Sequence, residues 1–209
     1  MSSESGKAPR AYRMSKRAES TEETRQRIVD AAVSLHGTLG PAATTVMGIA
    51  EEAGVTRATV YRHFPDDTAL FEACSAHWLL QQVPPNPAAW AEHEDPLDRM
   101  RVGLADLYRF FRAGEAMLRR VYGDKAWLPE AHRRDLEQRH QMFTELLLDA
   151  FETSGRPRRR VRAVVGHALD FWTWRSLCVE HGLADRDAVD LLVSLAALAA
   201  GLECPPGTP

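Results

Sequence analysis

The sequence predicts an all-α protein: an N-terminal helix-turn-helix three-helix domain followed by a C-terminal helical bundle, about nine helices in all. Three observations predict this. Apolar residues recur three and four apart along most of the chain. No segment sustains the period-two alternation with β-branched residues that a half-buried strand needs. Gly and Pro punctuate the helical stretches at Gly40-Pro41, Gly54, Pro84-Pro85-Asn86-Pro87, Gly155-Arg156-Pro157, Gly182 and Pro205-Pro206.

Taken in order, residues 1–20 read as a flexible basic arm, with Lys7, Arg10, Arg13, Lys16 and Arg17 against Glu4 and Glu19. Ile28, Ala32, Leu35 and Leu39 mark a first helix that starts near Thr21 and ends at Gly40-Pro41. Thr44-Thr45 caps a short helix with apolar Val46, Ile49, Ala50 and Ala53, and Gly54 breaks it. Thr56 caps the next, which runs to about His63; Phe64-Pro65-Asp66-Asp67 then opens a helix whose buried stripe is Leu70, Phe71, Cys74, Trp78 and Leu79. The prolines at 84–87 set the boundary between the helix-turn-helix domain over 21–83 and a second domain over 84–204, with a tail at 205–209. In that second domain the periodicity predicts helices over Leu97–Arg112, Glu115–Tyr122, Glu130–Glu152, Arg158–Glu180 and Asp185–Leu202. There is no internal repeat.

Composition narrows the class. A chain of 209 residues, 44% of them apolar, can bury a sizeable core. No run of about 18 uncharged apolar residues exists, so no membrane span is expected, and the first twenty residues lack the apolar core of a secretory leader. Cys74, Cys178 and Cys204 are odd in number and scattered, which suits a reducing cytoplasm rather than a disulfide frame or a zinc site. The net charge of −3 is unevenly divided: residues 1–64 carry nine Lys/Arg and seven Asp/Glu, whereas residues 65–209 carry seventeen and twenty-two. A basic front on an acidic rear fits a small DNA-reading head on a body that makes no DNA contact.

The stretch from Thr44 to Leu70, TTVMGIAEEAGVTRATVYRHFPDDTAL, is the informative one. Two short helices joined by a Gly-containing turn form a helix-turn-helix, and Gly54 supplies the left-handed backbone that turn requires. On the second helix Val55, Val60 and Phe64 face inward, while Ala58, Thr59, Tyr61 and Arg62 face outward, with Ala58 and Arg62 at the centre of that face. Arg can donate two bonds to a guanine edge in the major groove, and Ala lets the helix approach closely. Thr45, Thr56, Tyr61 and His63 are hydroxyl or imidazole donors suited to phosphates. A plain helical hairpin with solvated arginines would not explain an exposed Tyr61 where Val60 and Phe64 already supply the core.

This stretch resembles the TetR family of regulators through Thr44-Thr45, Ile49-Ala50, Ala53-Gly54-Val55, Thr59, Tyr61, His63-Phe64 and Leu70, over roughly residues 24–75. The resemblance implies three N-terminal helices, a linking fourth helix and a divergent C-terminal bundle that dimerises and often binds a small molecule. It makes Thr45, Arg57, Thr59, Tyr61, Arg62 and His63 candidate DNA contacts; geometry adds Thr56 and Ala58. Met47 stands where members often have Arg, and Asp67 where many have a phosphate-binding Lys, so both positions lose positive charge.

In the bundle, large apolar residues exceed what one stripe per helix needs. Consecutive helix positions diverge by 100°, so Phe171, Trp172 and Trp174 cannot all face one core. Tyr108, Phe111, Met117, Trp127, His140, Phe143, Trp172 and Trp174 are therefore the expected lining of a pocket for a small hydrophobic or aromatic effector. The last helix is apolar around most of its circumference, which demands burial on nearly all sides. Pairing of the last two helices with their symmetry mates is expected, with Leu191, Leu195 and Leu198 filling the seam and Ser194 and Ala197 allowing close approach. A monomer is the alternative, but one short recognition helix reads too few bases to select a genomic site. Glu137 and His140 form a single Glu-x-x-His pair, where a di-iron bundle needs two, and the five Arg within 156–162 read as a solvated loop and helix start. No catalytic motif is present. The expectation is a cytoplasmic homodimeric repressor of a palindromic double-stranded DNA operator, with no metal, cofactor or enzymatic activity. A regulator that senses nothing, and an activator, are the rivals within the same fold.

Overall fold

The computed structural model describes residues 10–202, with side chains at residue 16 and over 18–202. Among these residues the protein is all-helical: α1 (Arg10–Thr38), α2 (Val46–Glu52), α3 (Arg57–His63), α4 (Asp67–Leu80), α5 (Pro87–Ala91), α6 (Pro96–Ala113), α7 (Glu115–Gly123), α8 (Glu130–Leu148), α9 (Gly155–Ala168), α10 (Phe171–Trp174) and α11 (Asp185–Ala200). A 3₁₀ turn, Lys125–Trp127, precedes α8, and a π-helix, Arg175–Glu180, continues α10. The chain divides into two compact units, one up to Trp78 and one from Leu79. The division falls inside α4 rather than at Val83, where the prolines suggested it.

The first unit is built on α1. The expected start at Thr21 is corrected to Arg10: no Gly or Pro occurs between Arg10 and His36, and Arg, Ala, Met, Lys and Glu are good helix formers, so nothing stops propagation. Residues 10–20 of the expected arm are thus helical; residues 1–9, the 205–209 tail and Cys204 lie outside the described residues. Gly40, at φ 91°, turns the chain out of α1, and Leu39 and Gly40 both donate to Leu35 O, at 2.8 and 3.3 Å. Ile28, Val29, Ala31 and Ala32 of α1 pack on Ile49, Ala50 and Ala53 of the α2 region, Val60 and Phe64 from α3, and Leu70 and Cys74 from α4. The small alanines let these short helices approach closely.

His36 is buried within this unit, its ring 5.1 Å from that of Phe71 and its Nδ1 3.4 Å from Cys74 Sγ. Burial lowers its pKa to about 4, against an ordinary 6.5. The folded state therefore prefers neutral imidazole. The associated stability is complete above pH 6.5 and is lost as pH falls from there towards 4, by about 3 kcal/mol in total. Thermal melts at pH 7.5 and pH 4.5 should show a larger loss for the parent than for His36→Leu; equal losses would contradict the assignment.

The second unit is arranged around α6, which packs against α5, α8, α10 and α11, while α9 lies against both α8 and α11. Asp95 starts α6, its Oδ1 accepting from the backbone N of Leu97 and of Asp98, both at 2.9 Å. Gly103 is required by close packing: a Cβ there would stand 3.0 Å from Leu147 Cδ2 and 3.3 Å from the Trp90 ring. Trp90, fully buried, comes from α5, a helix the periodicity did not predict. Two ion pairs tie α6 to α11. Arg101 pairs with Asp190. Arg112 donates to both oxygens of Asp185 at 2.6 Å, and Asp185 Oδ1 also accepts from Trp174 Nε1 at 3.0 Å.

Other boundaries shift for local reasons. The expected helix Arg158–Glu180 is broken in two, because Asp170 caps a new start, its Oδ1 accepting from Trp172 N at 2.8 Å and Thr173 N at 3.4 Å. Gly155, at φ 59°, sets the start of α9 three residues before Arg158, and Gly201, at φ 77°, ends α11 after Ala200. The helix expected to run to Glu152 stops at Leu148.

Candidate nucleic-acid interface

Two threonines set the geometry of the helix-turn-helix. Thr45 caps α2, its Oγ1 accepting from Gly48 N at 3.1 Å, and Thr56 caps α3, its Oγ1 accepting from Thr59 N at 3.1 Å. Between them Gly54 takes φ 66°, and Val55 N donates back to Ala50 O at 2.9 Å. Arg27 of α1 donates from Nη1 to Ala53 O at 3.3 Å and so holds the end of α2. Val60 and Phe64 are buried, which fixes the rotation of α3.

That rotation leaves Thr56, Arg57, Ala58, Tyr61 and Arg62 exposed, with Thr59 and His63 half-buried; Thr45 is exposed at the head of α2. The outer face is therefore the one the sequence predicts, except that Thr59 is partly covered and its Oγ1 is engaged with Thr56 Oγ1 at 2.9 Å. The cap bond uses a lone pair of Thr45, so its hydroxyl keeps a proton to donate, whereas Thr56 shares a hydrogen bond with Thr59 in which either hydroxyl can donate. Arg57 lies over the Tyr61 ring, 5.4 Å from its centroid, with Nη2 3.5 Å from the phenol oxygen; the two side chains are held together on one face. Burial, then the adjacent charges of Arg62 and Arg25, lower the His63 pKa from its ordinary value. These surroundings favour the neutral imidazole, which can offer a phosphate an N–H. Arg25, whose guanidinium sits 4.9 Å over the Phe64 ring, was not among the candidates; its place one turn before Ile28 on α1 is the signal that could have found it. Met47 and Asp67 are both exposed on this unit.

The expected pocket residues separate. Tyr108, Phe111 and Trp174 are buried together with Phe171: the Phe111 ring lies 6.2 Å from Tyr108, 5.4 Å from Phe171 and 5.8 Å from Trp174. Tyr122 stacks on Phe171 at 5.2 Å, and half-exposed Trp172 meets it edge-on at 5.2 Å. The polar tip of Tyr108 is already used, donating to Ala168 O at 2.9 Å. Phe143 belongs to another cluster, 4.8 Å from Trp90. His140 is exposed beside Gly166, Met117 is half-buried and Trp127 is exposed on the 3₁₀ turn. Phe171, Tyr122 and Trp90 were missed as cluster members, since spacing does not distinguish them from other core positions. On α11, Leu191, Leu195 and Leu198 are 51%, 44% and 67% exposed, whereas Ala197 is fully buried within its own unit. Ala197 therefore cannot allow close approach at a seam; Ser194, half-buried, borders the leucine stripe.

A capped helix pair with a glycine turn, a fixed inner face and an arginine-bearing outer face defines a DNA-binding helix-turn-helix protein. Residues 28–74 match the model of "Bacterial regulatory proteins, tetR family". Among curated proteins, the chain is 43% identical over 67 residues to the HTH-type transcriptional regulator AcrR of Shigella flexneri, an alignment covering 32% of this chain and 30% of that protein. The chain spans about a third to a half of the length of the curated relatives it matches. Over most of its length it has the fold of a TetR-like transcriptional regulator from Rhodococcus sp. RHA1 (TM-score 0.62, 22% identity, 85% of this chain and 96% of that one). The fold is also that of NalD, the secondary repressor of the MexAB-OprM multidrug efflux pump in Pseudomonas aeruginosa (TM-score 0.55, 24% identity, 87% and 97%). Residues 28–74 are thus similar to the helix-turn-helix segment of the tetR family of bacterial regulators, and the fold over most of the chain is that of TetR-like regulators.

Proposed function

We propose that the protein is a homodimeric transcriptional repressor that places α3 of each protomer in the major groove of one half of a palindromic operator. The observation that carries this is the exposed face of α3, where Arg57, Ala58, Tyr61 and Arg62 stand on a helix fixed by buried Val60 and Phe64. Arg62 beside Ala58 is the base reader; Tyr61, His63, Thr45 and Thr56 hold phosphates, with Arg57 steadied on Tyr61. The exposed leucine stripe of α11 supports pairing with a second copy, which supplies the second recognition helix. Release by a small hydrophobic or aromatic effector would have to open the packed cluster of Tyr108, Phe111, Phe171 and Trp174 beside half-exposed Trp172, and requires an effector that prefers the state not bound to DNA. Two proteins to which the chain is similar, the transcriptional regulator AcrR and the repressor NalD, have roles that agree with this one. No helix among the described residues is long and apolar enough to cross a membrane, and a DNA partner would be met in the cytoplasm.

The test is binding to a duplex carrying the selected site. Arg62→Ala should cost about 1–3 kcal/mol and relax preference at one base, while Tyr61→Phe should weaken all sequences alike. Parent-like affinity and base preference in Arg62→Ala would show that Arg62 reads nothing.

A further inference from the structure

Helix α1 begins about five turns before the first side chain it buries, Ile28. Residues 16 and 18–23 are exposed, and 24–26 are half-buried. Core packing therefore does not account for this stretch of helix; what organises it is charge. Positions 10, 13, 17, 21 and 25 follow one another at spacings of three, four, four and four. At about 100° per residue they form one strip roughly 120° wide, occupied by Arg10, Arg13, Arg17, Thr21 and Arg25. The acidic residues of the same stretch, Glu19, Glu22 and Glu23, are centred on the opposite side of the helix. The strip ends at α3. Arg25 places its guanidinium 4.9 Å over the ring of Phe64, the residue that closes α3, and with Arg62 it is one of two cations beside His63. Among the described residues Arg25 has no ion pair and no hydrogen bond. Both helices belong to the unit that runs up to Trp78 and pack on each other there.

We infer that this strip is a second DNA-binding surface, which grips the phosphate backbone beside the bases read by α3. The inference rests on the DNA-binding reading above. From position 10 to position 25 the strip runs about 22 Å, with four of its five positions cationic and no carboxylate among them. A small anion needs one compact cluster of donors. Cations repeated along a line fit a polymer charged at regular intervals, and duplex DNA carries one charge per about 1.7 Å of its axis. Arginine donates to phosphate oxygens whatever the bases are. The strip therefore adds affinity and salt dependence but no sequence preference, which leaves base selection to α3.

The experiment measures affinity for a duplex enriched by the parent protein from a random pool, over a range of salt concentrations. Arg17→Gln removes one charge from the strip; Lys16→Gln removes one from the neighbouring position, about 100° round the helix. Glutamine keeps a high helix propensity, so α1 persists in both. The slope of log affinity against log salt should become shallower by about 0.9 in Arg17→Gln and by about 1.8 in Arg13→Gln, Arg17→Gln, and stay within about 0.3 of the parent in Lys16→Gln. The motif enriched by Arg17→Gln should remain the parent's, since a phosphate contact carries no base information. Equal changes of slope in Arg17→Gln and Lys16→Gln, the mark of an unoriented basic tail, overturn the inference. A parent-like slope in Arg17→Gln overturns it too and leaves the strip to a partner other than DNA. A parent that enriches no sequence overturns the DNA-binding reading itself, and the strip's role with it.

Discussion

Leu195→Glu, Leu198→Glu will be a folded monomer under conditions where the parent is a dimer. In the single chain these side chains are 44% and 67% exposed, so carboxylates there remain hydrated and the protomer loses little stability. With Leu191, also exposed, they form a stripe at spacings of four and three residues along one side of α11, while Val189, Leu192, Val193 and Ala196 fill the other side inside the unit. Two-fold pairing across that stripe would bring four carboxylates into a desolvated seam, at a cost of several kcal/mol each. That is enough to weaken association by more than about a thousandfold. Light scattering at micromolar concentration, with circular dichroism to confirm folding, checks it. A parent that is monomeric, or a folded double variant that stays dimeric, places the dimer seam elsewhere or removes it.

Trp90→Ala should cost the bundle about 3–5 kcal/mol. Trp90 is fully buried. It fills the space over Gly103, lies 4.8 Å from the Phe143 ring, and donates to Asp106. Truncation therefore opens a cavity between α6 and α8 and strips one donor from a partly buried carboxylate. Urea denaturation gives the number; a loss under about 1 kcal/mol would mean that α5 is a passive flap.

The helix-turn-helix was legible because its constraints are local. Gly54 must adopt a left-handed backbone, Thr45 and Thr56 must cap, and Val60 and Phe64 must face in, which by itself turns Ala58, Tyr61 and Arg62 outward. The leucine stripe of α11 was legible for a similar reason: a helix apolar all round has to leave one side uncovered in a unit this small. The bundle interior was not legible. Alternation of large apolar residues says that Tyr108, Phe143 and Trp174 are covered, but not by what; Tyr108 turned out to spend its hydroxyl on Ala168 O, and Phe143 to belong with Trp90. Short elements defeat periodicity too. The five residues of α5 sit between proline and acidic residues, and the break at Asp170 depends on one carboxylate accepting two backbone N–H groups, a choice that no apolar pattern records. The start of α1 at Arg10 is hidden by its basic, polar composition, which suits an arm as well as a helix, although Arg, Lys, Ala, Met and Glu there are good helix formers.

Offering the purified protein a pool of random duplexes and sequencing what it retains tests operator reading by a dimer most directly. Enrichment is expected of a short motif present twice in inverted orientation, its centres about 10 base pairs or a multiple of that apart, with the enrichment lost in Arg62→Ala at one position of each half. A retained pool no different from the input, or a single unrepeated motif, would rule out a dimer reading DNA with two copies of α3.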